Sequence, residues 1–444
     1  MRAALALLLA GAVSAHAAPA KPLSLVIVAV DGLRADHLPF YGYGRQTAPH
    51  LTSRAAAAVI FERAVSQATW TLPSFATIFT SLYPEQHGNN GERRILPPER
   101  LLTEALHDAG LRTAGFVGGH YLDPVYGFGR GFDLYRGDGM ATFRYMPETA
   151  SEAADWITEN KSARFFVFVH GNDVHPPFDQ PRQGEKLVHA FDADYRGRVD
   201  STLIDYLFVQ FFNRRSPEDV GVTPDRAYLD GVDAIRSSPR DLAHIAAHYD
   251  GRILEADAAI EKIFAALKKT GRDKDTIVVL LADHGLALGE KGNLGTAFHT
   301  AQDDAVTRVP LVIWNPALAG RRVAVPVQLV DVAPTLLEMM GVPVPASFQG
   351  RSLAGLAAGK SEGSEPRYAF STSSLVGDPK GQILMRSVQD GRYKLVKDSG
   401  PGPDRLYDLV SDPSENHDVA AAHPKDTDRL AAVLARHLSA VVAP

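Results

Sequence analysis

Three apolar runs set the frame of this chain. Leu25 to Val30 reads LVIVAV, Phe165 to Val169 reads FFVFV and Ile277 to Ala282 reads IVVLLA, with no polar position inside any of them. Unbroken runs of that length, rich in β-branched and aromatic residues, predict strands buried on both faces. Between them the apolar spacing changes to the helical period, which predicts helices over Glu148 to Glu159, Asp241 to Lys268 and Val330 to Met340. The alternation gives an α/β fold with a large, mostly parallel sheet sandwiched by helices. Near the carboxyl end the pattern shifts again: RYAFSTSS, ILMRSVQDGRYKLVKD and RLYDLV are short strand candidates with a turn at Asp390 and Gly391, followed by a helix through Leu430 to Leu438.

The same pattern divides the chain. A main domain is expected over residues 21–345, interrupted at about 176–240 by a polar, aromatic, proline-containing insertion. Long excursions of that kind form lids or substrate walls. Residues 346–365 are rich in Ala, Gly, Ser and charge and read as a linker to a C-terminal α+β subdomain, 366–444. The amino end, MRAALALLLAGAVSAHAAPA, has Arg2, an apolar stretch and an AHA site at Ala15 to Ala17. It predicts a signal peptide over residues 1–17 and a secreted protein, periplasmic in a Gram-negative source. No later run reaches the ~20 apolar residues of a membrane span.

Composition narrows the chemistry. At 444 residues and 45% hydrophobic content the chain can bury a large core, and a net charge of −6 without a basic cluster argues against nucleic acid as a partner. With no cysteine there is no disulfide, thiol nucleophile or lipoprotein anchor. What remains collects at the strand ends. LVIVAV runs into Asp31, IVVLLA into Asp283 and His284, and FFVFV into His170, Gly171, Asn172, Asp173, Val174 and His175. A single Asp after a strand is usually a turn former or helix cap. Three strands ending this way suit a divalent cation held by carboxylate and imidazole at the carboxyl edge of the sheet.

Thr71 precedes Pro73 and the helically spaced Phe75, Ile78, Phe79 and Leu82, which puts it at or just before a helix N-terminus. It is either an N-cap or a nucleophile whose alkoxide the dipole would favour. His244 and His248 stand four apart on a predicted helix but lack the Glu of a metalloprotease motif, so they read as structural. Lys291, in GEKGNLG, is a solvated loop lysine or a contact to a leaving group, and His120 is a candidate for the pocket wall. GFGRGF, Gly127 to Phe132, reads as loop rather than a dinucleotide fingerprint.

Taken in order, VDGLRADHLPFYGY (Val30 to Tyr43), TAPHL (Thr47 to Leu51), WTLPSFATIFTSLYPEQHG (Trp70 to Gly88), FVHGNDVHPPF (Phe168 to Phe178) and LADHG (Leu281 to Gly285) resemble the sulfatases of the alkaline phosphatase superfamily. The likeness continues through RVPLVIWNP (Arg308 to Pro316), VQLVDVAPTLLEMMGV (Val327 to Val342) and LYDLVSDPSENHDVA (Leu406 to Ala420). The resemblance implies that Asp31, Asp283 and His284 hold a metal that also contacts Thr71 as nucleophile. It implies that Asp173, His175 and His299 serve a second ion or the substrate, that Arg34 is an ion pair or a catalytic group, and that the tail is a small C-terminal antiparallel sheet. The expected cofactors are one or two divalent metal ions, zinc or manganese before calcium, and the expected partner is a small-molecule or glycan sulfate or phosphate ester.

Three residues depart from the family's pattern. Thr71 stands where most sulfatases have a Cys or Ser converted to formylglycine, Phe75 where that pattern ends in Arg, and Gly32 where many members have another metal-binding Asp. No formylglycine is expected here. Its hydrate sheds sulfate by collapsing to an aldehyde, whereas an esterified threonine needs a second nucleophile, a task suited to metal-activated water. Threonine therefore points toward phosphate mono- or diesters or phosphonates beside sulfate esters. The alternative is a catalytically inactive sulfatase scaffold that binds sulfated or phosphorylated glycans.

Overall fold

A computed structural model describes residues 23–91, 96–137, 143–176, 184–197, 238–292, 301–361, 366–374 and 382–442, with a few isolated positions between them. The three apolar runs become β1 (Ser24–Val30), β5 (Phe165–Gly171) and β6 (Thr276–Leu281), the adjacent central strands of the main sheet. Leu25 pairs with Phe166 on one side and Ile277 on the other, and every residue of the three strands is buried. Continuous apolarity is thus explained by helices over both faces rather than by a deeply buried helix.

The sheet also contains β2 (Val59–Val65), β3 (Arg112–Phe116), β4 (Leu134–Arg136), β7 (Arg308–Trp314), β8 (Arg321–Val323) and β9 (Val327–Gln328). Its order is β4-β3-β5-β1-β6-β7-β2-β8, with β9 beside β2. Only β7 among these strands runs against the rest, pairing antiparallel with both β6 and β2. Helix Met146–Glu159 packs along the 32-residue helix Pro239–Thr270, while Thr71–Thr80 packs against Leu102–Asp108 and Val332–Met339.

Helix ends follow their caps. The long helix starts two residues before its predicted boundary because the Ser238 hydroxyl accepts from Asp241 N (3.2 Å), and it stops at Gly271 with φ +71°. The helix expected from Val330 begins at Val332, after a 3-10 turn Leu329–Asp331. The Asp331 carboxylate accepts there from the N–H groups of Gln328 and Arg351 and from Arg367. The final helix, Pro424–Val441, is longer than its apolar stripe suggested.

In the C-terminal unit β10 (Ala369–Ser374), β11 (Ile383–Gln389), β12 (Tyr393–Asp398) and β13 (Arg405–Asp408) form an antiparallel meander with the final helix against it. The meander is docked on the main body: Thr372 N–H donates to Gln67 O (2.9 Å) and the Trp70 indole to Ser374 Oγ (2.9 Å). Lys394, fully buried, donates to Asp304 Oδ1 (2.9 Å) and Glu415 Oε1 (3.0 Å). Of the stretch read as a linker, residues 346–361 lie on the main body, with Gln349 N–H on Ser81 O (2.8 Å), Leu353 N–H on Thr335 Oγ1 (2.7 Å), and Leu353 and Ala357 buried. Within the insertion, helix Gly184–Asp192 packs against Pro239–Thr270, and most of the remainder lies outside the described residues. No described helix is long and apolar enough to cross a membrane.

Two stability outcomes follow from the seam between the units. Lys394→Ala leaves Asp304 and Glu415 buried without their cation, so urea titration should show a loss of about 3–5 kcal/mol. His437 stacks on Phe370 at 3.7 Å and meets the Tyr83 edge at 4.4 Å, and burial pushes its imidazole down to about 4. It stays neutral in the fold while the unfolded chain takes up a proton below about 6.5. Stability should therefore fall as pH drops from about 6.5 toward 4, and His437→Phe should flatten that slope in thermal melts at stepped pH.

Candidate active site

Thr71 is the first residue of helix Thr71–Thr80, and the extended residue before it, Trp70, occupies the N-cap position. The threonine hydroxyl is thus not spent on capping. It donates toward Asp31 Oδ2 at 3.3 Å and lies 3.5 Å from His284 Nε2. Asp31 follows β1, and Asp283 and His284 follow β6, so the paired strands deliver all three side chains to one place. Their ligand atoms lie within 4.8 Å of one another and all three residues are buried. Gly32 makes the turn beside them, with φ +74° and its N–H on Asp283 Oδ1 at 3.2 Å. A side chain at 32 would be strained in that backbone conformation.

The donor set fits a divalent cation. A carbonyl can only accept, so the 2.8 Å contact between His284 Nδ1 and Gly285 O puts the ring proton on Nδ1. The Nε2 lone pair then faces Asp31 Oδ1 at 3.5 Å and Asp283 Oδ2 at 3.4 Å. Those two carboxylate oxygens are buried and have no hydrogen-bond partner. Three electron-rich atoms converging away from water repel one another unless a cation lies between them. The carbonyl behind His284 is the outer partner that orients metal-binding imidazoles. Burial raises Asp283's pKa and the neighbouring Asp31 raises it further. Burial also opposes the charge on Asp31, yet His175, His170 and His284 together hold its pKa well below the usual carboxylate range.

The remaining candidates lie in different settings. Asp173 turns to helix Met146–Glu159, where Oδ2 accepts from Met146 N at 2.8 Å, and burial pushes its pKa to about 7. His175 is buried with its ring 6.1 Å from that of His284, and Nδ1 donates to Pro176 O at 2.6 Å. Among the described residues the one group of three metal-capable side chains is Asp31, Asp283 and His284, without Asp173 or His175. His299 lies outside the described residues. Arg34 is enclosed by Asp36 (2.8 Å), Glu290 (2.6 Å) and Leu286 O (3.0 Å), the ion-pair setting. Lys291 pairs with Asp303 and sits 4.9 Å over the Tyr407 ring.

His244 and His248 form a hydrogen-bonded column rather than a chelate: Asp192 Oδ2 lies 2.7 Å from His244 Nδ1, and the two Nε2 atoms are 3.2 Å apart. Tyr195 stacks on His244 at 3.6 Å. The column ties the insertion helix to the long one. His120 opens a short 3-10 turn, His120–Leu122. Sequence reading singled out no role for His170, which ends up fully buried with Nε2 3.6 Å from Asp31 Oδ2. Its one signal was its place directly after FFVFV.

A model of the sulfatase family matches residues 24–342. The chain belongs to the sulfatase family. A second model, for the C-terminal part of N-sulphoglucosamine sulphohydrolase, matches residues 300–443 of this family member. Arylsulfatase K of Bos taurus is 25% identical over 292 residues, which is 64% of this chain and 53% of that protein. The sulfatase-family chain thus spans about half the length of that curated relative. The phosphonate monoester hydrolase of Agrobacterium radiobacter superposes with a TM-score of 0.73 at 22% identity, covering 94% of this chain and 96% of that one. A protein solved in complex with its substrate D-glucosamine-2-N,6-O-disulfate superposes at 0.76 with 19% identity, covering 95% and 98%. At those identities the likeness is one of fold.

The repulsion in the cluster has a measurable sign. Asp283→Asn should raise the melting temperature in the presence of a chelator, because it removes one of two crowded buried carboxylates. With zinc or manganese added the order should reverse, since the wild type gains ligand-linked stability that the variant lacks.

Proposed function

We propose that this protein is a metal-dependent hydrolase of sulfate or phosphate esters, mono- or diesters or phosphonates, that uses Thr71 as its nucleophile. The observation that carries the reading is the position of Thr71 Oγ1, at a helix N-terminus and within 3.3 to 3.5 Å of Asp31 and His284. Asp31, Asp283 and His284 would hold a divalent ion, and His175 and His299 would serve a second ion or the departing oxygen. The ion would supply Lewis acidity for the anionic centre and lower the pKa of a bound water.

The chain's own residues account for the rest of the sequence of events. Asp31 Oδ2 orients the Thr71 hydroxyl, and Oγ1 forms a bond to phosphorus or sulfur as the bond to the alcohol oxygen breaks, with the hydroxyl proton leaving on the departing alcohol. The positive end of the dipole at the N-terminus of helix Thr71–Thr80 favours the anionic group that arrives there. Hydrolysis of the threonine ester by water then restores the hydroxyl. Phe75 is fully buried, its ring 5.2 Å from that of His170, so no side-chain cation from that position faces the anion. This shifts charge neutralisation to the metal and the helix. The family's relatives named as arylsulfatase and as phosphonate monoester hydrolase support an ester substrate on either side of the sulfur and phosphorus divide, and do not favour the binding-only alternative. A small-molecule or glycan sulfate or phosphate ester is the proposed substrate class, and the amino-terminal segment supports an exported protein, periplasmic in a Gram-negative source.

Thr71→Ala should abolish turnover of matched aryl sulfate, phosphate monoester, phosphodiester and phosphonate substrates across a zinc, manganese and calcium series. Metal content should stay near the wild-type value, and Thr71→Ser should retain measurable turnover. Full activity in Thr71→Ala would sink the nucleophile assignment.

A further inference from the structure

His170 is a buried polar group whose ring nitrogens lack a close hydrogen bond. It ends β5 beside Ala29 of β1, is 0% exposed, and neither ring nitrogen makes a hydrogen bond. Its ring is fixed by its surroundings, edge-on to Phe75 at 5.2 Å and stacked with Phe168 at 6.4 Å. On the third side lies Gly119, where a Cβ would come within 2.8 Å of His170 Cε1. The site is therefore shaped to hold an imidazole in one orientation, and that orientation points Nε2 at Asp31 Oδ2, 3.6 Å away.

The two Asp31 oxygens have different neighbours. Oδ1 lies on the side of His284 Nε2, where the cation fits, and Oδ2 lies on the side of Thr71 and His170. A lone pair on Nε2 would repel Oδ2, whereas an N–H there attracts it and closes the gap toward the about 2.9 Å of a hydrogen bond. His170 lies outside the group whose ligand atoms all fall within 4.8 Å, so it does not join the same ion directly. We propose that His170 is the positioning residue of the metal site, donating from Nε2 to the outer oxygen of Asp31 so that the carboxylate presents Oδ1 to the ion. His170 and His284 then carry opposite ring tautomers, one a donor to the ligand and the other a ligand itself. This inference rests on the metal-site reading above.

The test measures metal binding rather than turnover. Zinc and manganese dissociation constants are determined by chelator competition on the full chain, with ions per chain counted by elemental analysis. His170→Phe, which keeps an aromatic ring without the donor, should weaken binding about 10- to 100-fold, the range for loss of an outer-shell partner. His170→Gln, which keeps an N–H donor, should recover most of that loss. Gly119→Ala, which leaves the histidine but crowds its ring, should weaken binding in the same direction. Unchanged affinity in both His170→Phe and Gly119→Ala overturns the inference while leaving the metal site intact. Equal losses in His170→Phe and His170→Gln also overturn it, because packing rather than donation would then be the cause. A wild-type chain that retains no ion removes the metal-site reading and this inference together.

Discussion

The mutual repulsion of buried oxygen and nitrogen atoms at the carboxyl edge of β1 and β6 is the constraint around which this structure is arranged. Asp31, Asp283 and the Nε2 of His284 face one another in a space closed to water. Each alone would be a costly burial, and together they are tolerable with a cation among them. The surrounding structure is spent on keeping them there. The Gly32 turn brings its N–H onto Asp283, the Gly285 carbonyl fixes the His284 tautomer, and the helix carrying Thr71 is buried along its whole length. The central sheet supplies the rigidity that such a site needs, because three parallel strands in fixed register leave the loops at their ends little freedom.

The departures from the family's usual nucleophile become coherent in this setting. Threonine has one hydroxyl, and its position as the first helical residue rather than the cap leaves that hydroxyl facing Asp31. Phe75 gives up a cation but supplies the hydrophobic edge that holds His170. Gly32 gives up a carboxylate but makes a turn at φ +74° that a side chain would strain. The positive charge missing at position 75 is matched by the negative charge missing at position 32, and the cluster keeps carboxylate and imidazole donors that suit a divalent ion.

The C-terminal meander is part of the same arrangement rather than an appendage. Through Thr372 and Ser374 it contacts Gln67 and Trp70, just ahead of Thr71, and through Lys394 it holds Asp304, just ahead of β7. The stretch that composition marked as a linker is partly docked as well, because Leu353 and Ala357 find apolar partners that an Ala, Gly and Ser count cannot reveal.

Periodicity by itself determined the α/β class, the central strands, most helix positions and the acids and histidines that follow the strands, because burial on both faces leaves an unbroken apolar signature. The ordered motifs pointed to the sulfatase family for the same reason, since they sit where strand ends must converge. Tertiary structure alone decided which side chains meet. Asp173 and His175 are two residues apart, yet one caps a helix and the other lies near His284. Arg34 and Lys291 are drawn to acids distant in the chain. His170 looked like the end of a strand and became a buried neighbour of Asp31. Sequence spacing fixes the direction of a side chain along its own strand, but its distance to a partner depends on register, turn geometry and the packing of helices brought in from elsewhere in the chain.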